Sequence, residues 1–362
     1  MEQTEELYWY WINNIEGIGY QGIKKLLSTG KTPKQIFDSK EKELERVLTK
    51  NQIKAISQSK DIEKIVKGYK GLKKRGIQFL SIDHSDYPER LRRIDSPPFA
   101  LYVRGKLPEK GRKTIAIIGS RQSSVYGQEM AKYFGRELSK SGISVISGMA
   151  RGIDSIAQQS AIQQEGGSYG VLGCGVDICY PKESFSLYHD LIMKGGIVSE
   201  YPPGTIPKAG LFPRRNRIIS GMSDGILVIE AKEKSGTLIT VDWALEQGKD
   251  IYAVPGRAFD TLSEGCNRLI QMGAKLVMSI EDFQEEFPSV SMNLSKNYEN
   301  NQKTLAKNQR VVYSCLSLEP KYIDSIIKET KLSVQEVLST LFELEVSGLI
   351  TQVISNYYIV SK

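Results

Sequence analysis

The stretch Thr114–Arg151, TIAIIGSRQSSVYGQEMAKYFGRELSKSGISVISGMAR, restricts the possible folds more than any other part of the chain. Thr114 to Ile118 is a β-branched apolar run too short for a helix, and Gly119-Ser120 closes it. From Val125 apolar residues recur at helical spacing, with Met130, Phe134 and Leu138 on one face. A second apolar run, Ile143 to Ile146, ends at Ser147-Gly148. A strand, loop, helix, strand unit of this kind packs into a parallel sheet, with its first loop at the carboxyl edge. The helix that follows such a loop aims unpaired N–H groups at whatever binds there. Arg121 stands in that loop and reads equally as an anion ligand or as a structural residue reaching back to helix carbonyls. The spacing excludes a dinucleotide fingerprint, which needs glycines where this chain has Arg121 and Ser124, and no P-loop sequence occurs anywhere.

A chain of 362 residues has room for two or three domains and a sizeable core. No apolar run approaches the ~20 residues that span a bilayer. The acidic start MEQTEELYWYWINNIEG lacks the basic, then apolar, pattern of a signal peptide. The four cysteines form no C-x-x-C pair, and only His84 and His189 are there to assist them. Neither a metal site nor a disulfide framework is expected, which fits a reducing cytoplasm. No cofactor is expected either. The net charge of +7 is uneven: residues 1–112 hold 23 Lys and Arg against 15 Asp and Glu, residues 113–285 hold 18 against 19, and the remainder balances. A diffuse basic field therefore belongs to the N-terminal part, and the centre must hold any polyanion in a local pocket.

Residues 1–75 read as a small helical domain. Two apolar helical faces flank Ile15-Glu16-Gly17-Ile18-Gly19, either a phosphate-meeting helix-hairpin-helix turn or a Gly-rich turn in a small bundle. Residues 41–75 continue as lysine-rich amphipathic helix, read as a solvated face. Pro97-Pro98 and the strand-like Phe99–Val103 make 76–112 a lead-in to the central domain. From 113 to 287 the runs TIAIIG, ISVIS, YGVLG, GIVSE, GILVIEA, DIYAVPG and KLVMS alternate with helical stretches. That alternation implies an α/β domain with a mainly parallel, enlarged Rossmann-like sheet. The loops GSR (119–121), SGMARGID (147–154), GCGVDICYPK (173–182) and KSGTL (234–238) carry its unusual residues, and LFPRRNRIISG (211–221) concentrates arginines. Residues 288–307 are a polar, aperiodic linker. Residues 308–362 read as three helices and a β-hairpin, a winged helix. Its third helix carries Glu336, Glu343 and Glu345 without Lys or Arg, which argues for a protein or autoinhibitory contact over DNA.

The segments GSR, SGMARGID, GCGVDICYP, SEYPPG (199–204), FPRRNRIISG (212–221), SGTLIT (235–240) and AVPG (253–256), in this order, resemble the DprA/Smf family, DNA-processing protein A. The likeness runs through the whole central domain. The N-terminal helical module, of SAM or helix-hairpin-helix type, and the winged helix resemble the family's flanking modules more loosely. What the resemblance implies is a non-enzymatic, single-stranded DNA-binding protein of natural transformation. Members protect incoming strands, load the RecA recombinase on them, and form homodimers through the Rossmann-like domain. It further implies that Arg121 is a principal DNA contact, with Gly119, Ser120, Ser147 and Gly148 as donors. Arg151, Arg215, Asn216 and Arg217 would complete a basic pocket, with Ser235, Gly236 and Thr237 at another helix start. Tyr126 and Tyr180 lie in loops suited to base stacking. Many members carry Lys where this chain has Ser168, so one phosphate contact is either missing here or supplied by Lys182.

Two other classes compete. Phosphoribohydrolases that release a base from its ribotide have a P-G-G-x-G-T-x-x-E loop resembling the region of Ser235-Gly236-Thr237. Their acid falls at Thr240 here, which removes the general acid–base group; Asp154, Asp177 and Glu230 are the replacements on offer, and none has a partner at suggestive spacing. The third class is an adaptor that binds protein through the winged helix.

Overall fold

The computed structural model describes residues 4–290, 305–317 and 320–360, so 291–304 of the expected linker lie outside the described residues. Two compact units emerge, 1–289 and 290–362.

The first unit opens with six helices: α1 (Glu5–Asn13), α2 (Tyr20–Leu27), α3 (Pro33–Asp38), α4 (Glu41–Leu44), α5 (Lys50–Ser59) and α6 (Ile62–Lys74). Caps punctuate them at Thr32, Thr49 and Asp61, whose side chains accept the N–H three residues on. The sheet then builds from β1 (Gln78–Ser81), β2 (Ala100–Gly105), β3 (Thr114–Ile118), β4 (Ser144–Ser147), β5 (Ser168–Val171), β6 (Gly196–Ser199), β7 (Gly225–Val228), β8 (Asp250–Ala253) and β9 (Lys275–Leu276). Its helices are α7 (Glu89–Arg92), α8 (Val125–Lys140), α9 (Ile153–Ala161), α10 (Phe185–Lys194), α11 (Leu211–Gly221), α12 (Gly236–Glu246) and α13 (Glu264–Gln271).

The strand order is β1-β2-β6-β5-β4-β3-β7-β8-β9. The seven strands from β6 to β9 pair in parallel, and every residue of β3 to β7 is buried, as a sheet covered on both faces requires. Chain order reverses between β3 and β7, the switch point outside whose carboxyl ends such sheets bind ligands.

The lead-in expected at 76–112 is part of this sheet. β1 pairs antiparallel with β2, and β2 antiparallel with β6. The N-terminal helices in turn share a core with the sheet: Leu7, Trp9, Trp11 and Ile12 bury in one cluster with Phe79, Tyr102, Leu172 and Ile197. Trp9 stacks on Phe99 and donates its indole N–H to Asp83 at 3.0 Å, while Asn14 donates to the buried Tyr102 hydroxyl at 2.7 Å. The Ile15–Gly19 turn buries Ile15 and Ile18 and leaves Glu16 and Gly17 outside.

The second unit contains helices Lys307–Ser314, Ile323–Thr330 and Val334–Val346, and a hairpin of Ile350–Ile354 with Tyr357–Val360 that Lys321–Tyr322 extends. Val312, Ile326, Val337, Leu341 and Tyr358 centre its own core, completing a winged helix.

Because the first helix and the sheet share one core, they should unfold together. Trp9→Ala should cost about 3–5 kcal/mol, and urea melts followed by fluorescence and by far-ultraviolet circular dichroism should shift as one transition. Measured on residues 1–289, without the separately cored winged helix, two separated transitions would contradict the shared core.

Candidate functional site

The loops after β3, β4, β5 and β7 converge at the switch point on a groove formed by two adjoining cavities of about 520 and 760 Å³. Ser120, Arg121, Ala150, Tyr180, Pro207, Phe212 and Arg215 line both.

The β3 loop is held from three sides. The Gly119 carbonyl accepts from the Thr237 hydroxyl at 3.2 Å, the Ser120 carbonyl accepts from the Ile153 N–H, and the Ser120 hydroxyl closes a turn with Gln122. Gly152 lies at φ 76°, and a Cβ there would stand 2.3 Å from the Ser120 oxygen, so only glycine lets the two loops touch. Arg121 projects exposed from this braced loop, and it forms no ion pair among the described residues.

The three helix N-termini at this edge differ. At α8 the site is filled from within: the buried Glu230 carboxylate accepts from the Ser124 N–H at 3.0 Å and from the Ser124 hydroxyl. A Cβ at Gly127 would collide with that carboxylate at 2.2 Å. The expected anion site at the start of α8 is thus occupied by the protein's own charge, which suits a helix N-terminus as well as a ligand would. At α9, Ile153 gives its N–H to Ser120, and Asp154 turns back to accept from Gly148 N–H at 3.2 Å. At α12, Ser235 makes no cap bond and its buried hydroxyl has no partner among the described residues, and the exposed Gly236 leaves the helix start open to the groove.

Arg215 forms the groove floor. Only 4% exposed, it donates to the carbonyls of Gly148 at 2.9 Å and Val171, tying the ends of β4 and β5 to α11. Burial pulls its pKa down to about 10, with the Asp154 charge opposing the shift, so it stays a cation at neutral pH. Burial likewise raises the pKa of Asp154. Beside it Tyr180 and Phe212 place their rings 5.4 Å apart at 30°, and the Arg215 guanidinium lies 5.9 Å from the Phe212 ring. Arg151 and Lys182 are exposed on the second cavity, Arg151 paired with Glu183 at 2.6 Å, and exposed Lys232 lines the first.

Of the residues singled out in the sequence, Gly119, Ser120, Arg121, Gly148, Arg151, Tyr180, Lys182, Arg215, Asn216, Ser235, Gly236 and Thr237 line this groove. Four expectations need correction. The Ser147 hydroxyl is buried and donates to the Ile117 carbonyl at 2.6 Å, and the Gly148 N–H is spent on Asp154. Tyr126 sits on α8 outside the groove and gives its hydroxyl to the Pro255 carbonyl. Arg217 faces the other way: two residues, about half a helical turn, separate it from Arg215, and it pairs bidentately with Glu200 at 2.6 and 3.1 Å beneath the Tyr20 ring. Ser168 begins β5 at the opposite, amino end and donates to the Val145 carbonyl, so a side chain there does not reach the groove.

Phe212, Lys232 and the capping role of Glu230 were missed. The aromatic preceding Pro-Arg-Arg was available in the sequence as a stacking residue; the other two depend on how β7 meets the neighbouring loops. The rival catalytic carboxylates have structural partners: Asp154 and Glu230 as above, and Asp177 with Arg75 and the Gly204 N–H. The third helix of the winged helix exposes Val334, Leu338, Phe342 and Val346 beside its glutamates, with no cation to meet phosphate.

Comparison with known proteins agrees with this architecture. The family model for DNA recombination-mediator protein A matches residues 78–288, and that for the DprA winged helix domain matches 298–353. DNA processing protein DprA of Bacillus subtilis is 39% identical over 249 residues, covering 67% of this chain and 84% of its own. The X-ray structure of DprA from Streptococcus pneumoniae superposes with a TM-score of 0.67 at 32% identity, over 79% of this chain and 99% of that one. DNA processing protein A of Helicobacter pylori, whose structure addresses its single-stranded DNA binding mode, gives 0.52 at 27% identity, over 61% and 96%.

The buried Arg217–Glu200 pair yields a stability test. Arg217→Ala leaves the largely covered Glu200 unpaired and should cost about 3 kcal/mol in urea denaturation. Replacing both residues with Met and Leu should recover most of that loss. Arg217→Ala with unchanged stability would return this side chain to the list of free cations.

Proposed function

Since the chain belongs to the DNA recombination-mediator protein A family, we propose that its switch-point groove binds single-stranded DNA. The observation that carries this reading is one juxtaposition: an unpaired exposed Arg121, the open start of α12 and the Tyr180–Phe212 ring pair share a single groove. Single strands need backbone neutralisation and a flat apolar surface for bases, and this groove supplies both. Arg121, Lys232 and the N–H groups of α12 take phosphate, while Tyr180 and Phe212 take bases. Arg151 and Lys182 flank the path, Arg151 exchanging Glu183 for phosphate. Arg215 contributes its field from beneath and holds the floor in shape. No helix at the groove is presented as a ridge for a major groove, so single strands are preferred over duplex.

In the wider role we propose, the protein acts in natural transformation: it shields incoming single strands and loads the RecA recombinase on them. It does so as a homodimer through the Rossmann-like domain, in the cytoplasm. The family membership supports this role, and four free cysteines suit a reducing compartment. A non-enzymatic function is favoured over a phosphoribohydrolase because Thr240 stands where the acid is needed and the neighbouring carboxylates serve the fold.

Arg121→Ala should leave stability within ~0.5 kcal/mol of the parent, because the side chain touches nothing that folds the loop. Its affinity for oligo-dT should fall by ~1.5–3 kcal/mol, and the slope of log K against log salt should shrink by about 0.7. Arg121→Lys should recover part of the loss, since a point charge does not reproduce a forked donor. Fluorescence anisotropy across a salt series measures all three, and parent-like binding by Arg121→Ala would reject the reading. Self-association is checked separately: residues 1–289 at micromolar concentration should scatter light as a dimer, and a monomer mass would reject assembly through this unit.

A further inference from the structure

Helix α6 carries a second cationic surface that the groove does not include. Its inner face sends Ile65 and Leu72 into the shared core, with Val66 and Tyr69 packed against it. Its outer face bears Lys64, Lys67, Lys70, Lys73 and Lys74 against one acid, Glu63. Lys64 is neutralised by Asp61 at 3.1 Å. Lys67, Lys70, Lys73 and Lys74 are exposed and form no ion pair among the described residues. Four uncompensated cations therefore share this thirteen-residue helix. Lys67, Lys70 and Lys74 stand at i, i+3 and i+7, and together with Ile62, Glu63, Val66 and Gly71 they line a shallow groove of about 660 Å³, in which three lysines face one acid.

Strand register fixes where this ridge ends. Gln78, four residues past α6, pairs with Val103, Val103 with Val198, and Val198 with Val171, the last residue of β5. The end of α6 therefore stands level with the carboxyl edge of the sheet, where the groove lies. Arg75, directly after α6, forms an ion pair at 3.3 Å with Asp177, three residues before Tyr180 in the loop that also carries Lys182. The lysine ridge and the groove thus meet through one loop.

We propose that single-stranded DNA longer than the groove leaves it past Tyr180 and Lys182 and continues along Lys74, Lys70 and Lys67 of α6. The inference rests on the single-strand reading of the groove and adds a second, purely electrostatic segment to it. Lys67 to Lys74 spans about 10 Å of helix, room for about three phosphates at the strand spacing of duplex DNA. The segment has no exposed aromatic ring and no fork of guanidinium donors, so it holds the backbone without reading bases.

The test uses the full chain with Lys67, Lys70 and Lys74 all changed to Gln, and the same three changed to Arg. Each is checked for an unaltered thermal melt, and binding is measured with oligo-dT of about six and about twenty nucleotides. The Gln variant should bind the short oligonucleotide within about twofold of the parent. It should bind the long one at least about tenfold more weakly, with a salt slope smaller by about 2. The Arg variant should match the parent on both. Arg121→Ala should weaken both lengths. A Gln variant that binds the long strand like the parent overturns the ridge while leaving the groove reading intact. Equal losses on both lengths also overturn it, since a general field rather than a continued path would then be at work. Arg121→Ala binding both lengths like the parent would instead reject the groove, and with it the path leading out of it.

Discussion

Arg215 is the contact on which the site's geometry hangs. A guanidinium in the interior is costly unless its donors are met and its charge opposed. Here the Gly148 and Val171 carbonyls meet it, and the Asp154 charge opposes it. The bonds join the ends of two neighbouring parallel strands to α11, the helix that brings Phe212 to the groove. On the opposite side of α11, two residues on, Arg217 grips Glu200 under Tyr20, so the same helix links the groove to the first helical hairpin. Met149, next to Gly148, is held at φ 54°, a conformation a non-glycine side chain adopts only when its surroundings impose it. The strain falls at the site, where Gly148 is held by both Arg215 and Asp154.

The groove combines two kinds of charge. Fixed, buried charge in Arg215 and Asp154 sets shape; exposed charge in Arg121, Lys182 and Lys232 stays free to meet a ligand. Internal compensation separates them. Glu230 fills the α8 N-terminus, Asp154 takes the Gly148 N–H, and Glu183 shields Arg151, whereas the start of α12 and Arg121 stay unpartnered. A polyanion gains most from cations that give up no existing pair, so affinity should concentrate at that end of the groove.

The helical module at the N-terminus is structurally part of the sheet's cover, since its tryptophans share a core with β1, β2 and β6. That arrangement also sets the height of α6 above the sheet edge and accounts for the basic surplus of residues 1–112 lying beside a nearly neutral central domain. The winged helix, by contrast, has a core of its own and an outward helix that is apolar and acidic.

The alternation of apolar runs and helical spacing by itself determined the α/β class, the parallel sheet and the loops that carry the groove. Those properties follow from local periodicity, which a linear pattern records. Twelve of the fifteen residues that the family resemblance singled out line the groove, and most of them stand in loops after parallel strands, whose carboxyl ends converge. What only the tertiary structure decided is direction and partnership. Arg215 and Arg217 are two residues apart, yet helical geometry turns one under the groove and the other toward Tyr20. Ser147 and Tyr126 sit in or beside the right loops, but their hydroxyls are spent on Ile117 and Pro255. Ser168 and Val171 occupy one strand, and only its extended rise puts the first at the far edge. Lysines 67, 70 and 74 read as a solvated face until strand register brought their helix level with the sheet edge. A sequence states which charges exist; which of them remain uncompensated depends on neighbours distant in the chain.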